Sequence, residues 1–497
     1  MPNPAELVAE LRNSFRSGKT RPLSFRITQL RNLLRMYSEK KDEIVRALHD
    51  DLRKCPAEAI VMEIDFLVND LKNTLWNLDQ WARPEYVEKD LANLLDTAYV
   101  QREPYGVVLV IGAWNYPIQL TLLPFHGALA AGNCVLIKPS EVSAASAKLI
   151  EEIIPQYVDN DCYKVMNGGI PETTDLLKQR FDYIFYTGNT AVGKIVHAAA
   201  NRHLTPVTLE LGGKSPCYID SSADIKTATK RIIWGKMTNM GQTCVAPDYL
   251  LCTKEVEKKF LETATLILRE FYGPDLKRSP DLGRIVNDRH FERLQGLLEG
   301  GTVALGGDTD AHDRFMGLTV LTDVKSDAAV LQQEIFGPIL PVVNVADVKE
   351  AIDYLQEREK PLALYVFSNR KADVELLLKN TSSGSVCVND VIMQLVVDTL
   401  PFGGVGNSGM GGYHGKFSLD TFSHKKAILY KDLGLVGEVL GAAKYPPLTN
   451  GKIAYLRFML AKRPPFLMRL VKGVLGGLGP FLGGVLALYL WQKYTQI

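Results

Sequence analysis

Cysteine is sparse in this chain, with seven in 497 residues at positions 55, 134, 162, 217, 244, 252 and 387, none in CxxC spacing. That excludes a disulfide scaffold and a thiolate zinc site, and it fits a reducing compartment. The eight histidines are dispersed and none falls in an HExxH motif, so no metal is expected. A net charge of +1 offers no excess of positive charge for nucleic acid, and no nucleic-acid partner is expected. The N-terminal stretch Met1 to Gly18 lacks a continuous apolar core and carries Glu6 and Glu10, which argues against a signal peptide. Internal repeats and long low-complexity linkers are also missing. What remains is globular: 46% hydrophobic and 23% charged residues, with 40 Gly and 25 Pro punctuating many short elements. A chain of this length exceeds one ordinary core, so two or three lobes are expected.

Acidic residues are absent from one region. Residues 439–497 hold eight Lys or Arg and no Asp or Glu, so an acidic body precedes a basic tail. Within that tail Gly473–Trp491 carries no charge, and Lys472 and Lys493 bound it. About 20 apolar residues span a bilayer as a helix, and a positive flank marks the cytoplasmic side. Arg457, Lys462, Arg463, Arg469 and Lys472 supply that flank. Gly473, Gly476, Gly477, Gly479, Pro480, Gly483 and Gly484 weaken a helix in water, whereas lipid leaves the backbone no other hydrogen-bond partners. The reading is a C-terminal membrane anchor over 473–491; its alternative is an amphipathic or buried terminal helix.

Residues 5–80 read as a helical cover, with Leu7, Leu11 and Phe15, then Leu30, Leu33, Leu34 and Tyr37, at helical spacing. From Gly106 the pattern changes to short apolar strands at 107–111, 134–137, 163–166, 183–186 and 207–211. Helices are expected between them at 117–131, 144–154, 172–178 and 191–200. This alternation predicts a doubly wound parallel α/β sheet. A second α/β unit follows Glu210, with helices near 223–236 and 255–272. The segment Thr187-Gly188-Asn189-Thr190-Ala191-Val192-Gly193 closes the fourth strand and enters a helix, where backbone N–H groups face an anion such as a pyrophosphate. It is not a GxGxxG fingerprint, and an ordinary turn is the alternative. Lys138 and Glu141, at another strand end, are candidates for ribose hydroxyls; a strand end capped by Pro139 and Ser140 is the bland reading. Glu334 and Phe336 pair a carboxylate with a ring, suited to ribose and nicotinamide, or to a plain loop and core. The Gly-rich stretch Pro401 to Gly409 reads as a loop.

Cys244, in Gly241-Gln242-Thr243-Cys244, lies thirty-four residues after Glu210 in Leu209-Glu210-Leu211-Gly212-Gly213-Lys214. A thiol adds to a carbonyl and later leaves, while a carboxylate deprotonates the water that releases an acyl product. These residue types suit oxidation of an aldehyde through a thioester. The competing reading of Cys244 is a small buried hydrophobe.

In this order, the segments Gly112–Pro117, Leu136–Glu141, Tyr186–Gly193, Leu209–Lys214, Gly241–Cys244, Glu334–Pro338 and Pro401–Gly406 resemble the aldehyde dehydrogenase superfamily, over about residues 5–430. The likeness is to its class 3 branch, and in tail character to the membrane-bound fatty aldehyde members. The resemblance implies Cys244 as nucleophile, Glu210 as general base and Asn115 as oxyanion donor. It assigns Lys138, Glu141, Thr187, Gly188, Asn189, Thr190, Ala191, Val192, Gly193, Glu334 and Phe336 to the cofactor, and Tyr116 and Phe402 to the substrate. It implies NAD, with NADP as the alternative, and a homodimer. The domains it implies are a cofactor lobe at 1–82 and 104–211, a catalytic lobe at 212–394, an arm at 83–103 and 395–430, and a tail at 431–497. The expected substrates are medium and long aliphatic aldehydes, with short or aromatic ones as the alternative; the expected location is the endoplasmic reticulum membrane facing the cytosol, with the cytoplasm as the alternative. Acyl transfer to coenzyme A and a non-catalytic scaffold are disfavoured by Glu210, Cys244 and Asn115 together. Gln394 departs from the His common in relatives after Asn-Asp-Val-Ile-Met, which leaves the substrate funnel open.

Overall fold

The computed structural model describes residues 3–431, 433–464 and 466. Residues 1–81 with 104–424 form one compact unit, and 82–103 with the described residues from 425 onward form a second.

The first unit contains two large sheets. In the first sheet the strand order is Gly409–Met410, Val207–Glu210, Tyr183–Thr187, Val107–Ile111, Cys134–Lys138, Tyr163–Val165. All neighbours run parallel except the antiparallel edge pair of Gly409–Met410 with Val207–Glu210. Every residue of Val107–Ile111 and Cys134–Lys138 is buried. Such unbroken apolar runs form strands covered on both faces, because parallel crossovers place helices on each side. The helices are Gln119–Ala131, Ala144–Tyr157, Ile170–Leu176 and Thr190–Asn201, close to the expected bounds. Gln119–Ala131 is apolar around nearly its whole circumference and ends at Gly132, whose φ of 95° requires glycine.

The second sheet orders Thr302–Leu305, Thr319–Thr322, Ile339–Asn344, Tyr249–Cys252, Pro216–Ile219, Ala363–Phe367 and Ser385–Val388. Only its first pair is antiparallel. The helices Ile225–Met237 and Lys254–Tyr272 pack against each other in this half, where the sequence pattern put them.

The N-terminal helices are tied to the first sheet by polar anchors as well as apolar packing. Asp182 pairs with Arg12 at 2.8 Å and accepts the Val107 N–H at 2.8 Å. Asp51 accepts the N–H groups of Ala145 and Ser146, at 2.9 and 2.8 Å, satisfying donors that the start of a helix leaves open. In the second unit, Glu85–Tyr86, Thr97–Pro104 and Ser423–Tyr430 make a three-stranded sheet, followed by the helices Leu435–Gly441 and Asn450–Leu460. Among the described residues no helix is long and apolar enough to cross a membrane, and the expected anchor 473–491 lies outside them.

Leu109 is fully buried in the middle of its sheet. Leu109→Ala is expected to cost about 2–5 kcal/mol through lost transfer energy and a residual cavity, read as a lower denaturation midpoint in urea.

Candidate active site

The functional side chains gather where strands of both sheets end and loops begin. Glu210 closes the strand Val207–Glu210, opposite Thr187 in the parallel register. It is 3% exposed and neither carboxylate oxygen has a hydrogen-bond partner. Burial without a partner pushes its carboxyl well above the ordinary carboxylate range. The Thr187 hydroxyl is likewise buried and unpartnered.

Cys244 is the half-buried thiol of a loop that approaches in an unusual conformation. Asn239, Met240 and Gly241 all have positive φ, at 51°, 56° and 71°. For the first two this costs strain, which surrounding contacts must hold. The Asn239 amide donates to the Asn115 carbonyl at 2.7 Å and to the Gln242 carbonyl at 3.1 Å. Gln242 donates to the carbonyls of Asn239 and Arg284 and accepts the Val286 N–H at 3.0 Å. At Gly241 a Cβ would run into the Gly337 carbonyl, so the loop passes directly against the segment that carries Glu334. Burial raises the Cys244 thiol pKa, and the negative charges of Glu334 and Glu210 raise it further; the backbone N–H groups of Cys244 and Val245 act the other way.

Asn115 follows the strand Val107–Ile111 and is 3% exposed. Its amide donates to the Gln242 carbonyl at 3.0 Å, two residues before the thiol. Tyr116 shares a 3.0 Å hydroxyl hydrogen bond with Thr243, next to Cys244. Phe402 stacks on His414 and packs near Tyr413, whose phenol senses the charges of Glu210 and Cys244. Asn115, Tyr116, Glu210 and Cys244 therefore converge, with Phe402 one ring further out.

The nucleotide candidates form a second group. Asn189 caps the helix Thr190–Asn201 by accepting the Val192 N–H at 2.9 Å, and the Gly188 N–H donates to the Glu210 carbonyl. Any Cβ at Gly188 would meet the Tyr186 hydroxyl, and one at Gly193 would meet Leu211. Ala191 and Val192 lie in the first turn of that helix, and the Thr190 hydroxyl donates to the Asn407 carbonyl. Lys138 bonds Glu141 at 2.7 Å. Burial works against ionisation of Glu141, but the Lys138 hydrogen bond and charge outweigh it and hold the carboxyl below its usual range.

Glu334 accepts the Gly213 N–H at 3.1 Å, and its carboxylate fills the space that a Cβ at Gly212 would need. Burial, reinforced by Asp248, pushes it up to about 8 against the opposing effect of Gly213, Lys214 and Arg293. Phe336 sits at φ 51° and meets Trp114 edge-on at 5.2 Å. An exposed helix N-terminus at a parallel strand end, a carboxylate beside paired glycines and a lysine–glutamate strand end together fit a nicotinamide dinucleotide. The phosphates would lie at Gly188–Gly193, the adenosine ribose at Lys138 and Glu141, and the nicotinamide end at Glu334 and Phe336.

The structure gives contacts to several residues that the sequence left without a defined role. The amide nitrogen of the half-buried Gln394 lies 3.3 Å from the Ser385 hydroxyl and 3.5 Å from that of Tyr365, which donates to the Val245 carbonyl. Lys214 bonds Asp248 and the carbonyls of Val330 and Gln333, while Asp248 accepts the Ile335 N–H. Lys236 is fully buried with an unpartnered ammonium, and burial pushes it down to about 8. Lys54, Glu63 and Asn239 were equally silent. Lys214 and Gln242 lay inside quoted motifs, Leu209–Lys214 and Gly241–Cys244, without a role of their own.

The aldehyde dehydrogenase family model matches residues 5–428. Aldehyde dehydrogenase family 3 member A2 of Mus musculus is 52% identical over 92% of this chain and 94% of its own length. The dimeric NADP-preferring aldehyde dehydrogenase of Rattus norvegicus is also 52% identical, over 89% and 97%. Among solved structures, the substrate-bound state of Staphylococcus aureus AldH superposes with a TM-score of 0.90 at 41% identity, covering 93% of this chain and all of that one. On this fold, this site and these likenesses, the chain belongs to the aldehyde dehydrogenase family and is an oxidoreductase that acts on aldehydes with NAD or NADP.

Proposed function

We propose that the enzyme oxidises medium- and long-chain aliphatic aldehydes to carboxylic acids with NAD, through a thiohemiacetal and then a thioester on Cys244. The observation that carries this is the buried Glu210 carboxylate, with both oxygens unpartnered, within electrostatic reach of the half-buried Cys244 thiol. A buried carboxylate without partners is costly, and a position kept so is suited to proton transfer.

The Cys244 thiolate attacks the aldehyde carbon. The Asn115 amide has two N–H donors and spends one on the Gln242 carbonyl, leaving the other for the developing oxyanion beside the Cys244 backbone N–H. The oxidised nicotinamide, when bound, supplies the hydride acceptor. Glu210 then takes a proton from water, the resulting hydroxide attacks the thioester carbonyl, and the thiolate leaves with release of the acid. The lobes at 1–82 with 104–211 and at 212–394 would hold cofactor and nucleophile respectively, and an arm at 83–103 and 395–430 would pair two copies. An ionised Glu141 disfavours a 2′-phosphate, which supports NAD.

The tail underlies the substrate choice. Among its described residues Leu433, Leu435, Leu448, Phe458, Leu460 and Phe466 are exposed, and the basic flank precedes Gly473–Trp491. An anchor there in the endoplasmic reticulum membrane would hold the enzyme at the bilayer, where long aldehydes concentrate by about 0.8 kcal/mol per methylene.

Cys244→Ser is expected to lower turnover at least about 10³-fold. Glu210→Gln is expected to slow deacylation about 10²-fold or more, leaving a burst of reduced cofactor and a trapped acyl-enzyme in rapid-quench experiments. Unchanged turnover in either variant removes that residue from its role.

The pH dependence has a defined sign. Cys244 works deprotonated in acylation and its thiol is held above its ordinary value, so kcat/KM is expected to rise between pH 6 and 9. A flat or falling profile across that range contradicts the assignment.

Hexadecanal is expected to outrank benzaldehyde and a short aldehyde in kcat/KM, with NAD above NADP. Truncation after Pro465 is expected to move the enzyme from the membrane pellet to the supernatant. Turnover of short or aromatic aldehydes alone rejects the fatty-aldehyde reading, and a truncated chain that still sediments rejects the anchor.

A further inference from the structure

Lys54 and Glu63 form an ion pair at 2.5 Å in which neither side chain has any solvent exposure. Burying two charges is seldom favourable by itself, because desolvation offsets the Coulomb attraction, and apolar residues of similar volume often serve stability as well. The contacts of this pair point elsewhere. Lys54 donates to the Asn115 carbonyl at 3.3 Å and lies 4.1 Å from the centre of the Tyr116 ring. The second oxygen of Glu63 accepts the N–H groups of Ile118 and Gln119, at 2.9 and 3.1 Å. One carboxylate and one ammonium thus grip Asn115–Gln119 from both ends.

That segment bears on the chemistry at two points. Asn115 reaches the Gln242 carbonyl through its amide, and Tyr116 reaches Thr243 through its hydroxyl. Glu63 itself sits in a six-residue π-helical turn, Ala59–Ile64, between the helical stretches Pro56–Glu58 and Asp65–Trp81. Such wide turns are uncommon in helices and frequent near functional sites. Lys54 follows Arg53, a non-glycine residue at φ 50°.

We propose that Lys54 and Glu63 are positioning residues for the oxyanion contact, fixing Asn115–Gln119 so that the Asn115 amide and the Cys244 loop hold one relative geometry. This rests on the reading of Asn115 as the oxyanion donor. A displacement of about 1 Å at such a donor costs up to about 10²-fold in rate. Neither residue touches the reacting atoms, so their whole effect on acylation passes through the segment they hold.

The test is a double-mutant cycle on the full-length enzyme, following the formation of reduced NAD in a single turnover with enzyme in excess over hexadecanal. At saturating enzyme the single-turnover rate constant does not depend on the active fraction and reports geometry at each active site. Asn115→Ala is expected to lower the rate constant about 10²-fold or more. Glu63→Gln, whose amide oxygen can still accept from Ile118 and Gln119, is expected to lower it about 10-fold, with the KM for NAD unchanged. In the Asn115→Ala background, Glu63→Gln is expected to change the rate constant less than twofold, since the contact it positions is gone. Multiplying effects in the double variant overturn the positioning role while leaving the oxyanion reading intact. A normal rate constant in Asn115→Ala overturns the oxyanion reading and this proposal with it. If Glu63→Gln does not fold, Lys54→Met with Glu63→Gln removes both charges of the pair together and enters the same cycle, and a wild-type rate constant in that variant also overturns the proposal.

Discussion

The Asn239 side-chain amide joins two segments 124 residues apart in sequence by donating to the Asn115 and Gln242 carbonyls together. Without that bridge the turn before Cys244 has no evident reason to keep two non-glycine residues in the left-handed region. An αL residue with a Cβ costs on the order of 1–2 kcal/mol, so two in succession persist only under outside restraint. Gln242 adds the other half of that restraint by tying the loop to the Arg284 and Val286 backbone. The Cys244 thiol is therefore aimed by hydrogen bonds from both α/β halves of the first unit, and its loop conformation is a property of the assembled halves.

The same assembly creates an electrostatically unfavourable centre. Glu210 and Glu334 both disfavour the charged form of the Cys244 thiol, and burial is the largest influence on each of the three. Their acidic forms are all stabilised as a result. Cations lie around this centre: Lys214 is engaged with Asp248, Arg293 holds the backbone of Glu334 and Ile335, and Lys236 is buried without a partner. Fixed groups of this kind can be aimed at charge that develops during reaction without reorganising at that moment. The stability lost by burying them must come from the apolar sheets beneath.

Much of the fold was legible because its signals are local. Runs such as Val107–Ile111 are short, largely β-branched and unbroken, one helix between them ends at Gly132 and another begins at Asn189, so the alternation showed where the first sheet would lie. The strand Tyr163–Val165 ends one residue before the expected end, although the Met166 N–H still bonds the Ile137 carbonyl. Site residues within contiguous motifs were legible for the same reason. Lys54 and Glu63 were not, because one charged residue beside a turn and one within an amphipathic helix look like solvated positions. Gln394 stood out in the sequence as a departure from relatives, but its contact with Tyr365 came only from the tertiary structure.

The sequence by itself determined the alternation of strands and helices, the segments that carry Cys244, Glu210, Asn115 and the nucleotide turn, and the charge asymmetry of the tail. These follow from periodicity, turn chemistry and composition, which act over a few residues. Only the tertiary structure decided that Glu210 would be buried without a partner, that Asn239 would hold a strained turn, and that Lys54 and Glu63 would close on Asn115–Gln119. Those outcomes depend on which distant groups share a desolvated space, and desolvation is set by the packed neighbours of a residue, not by its neighbours along the chain.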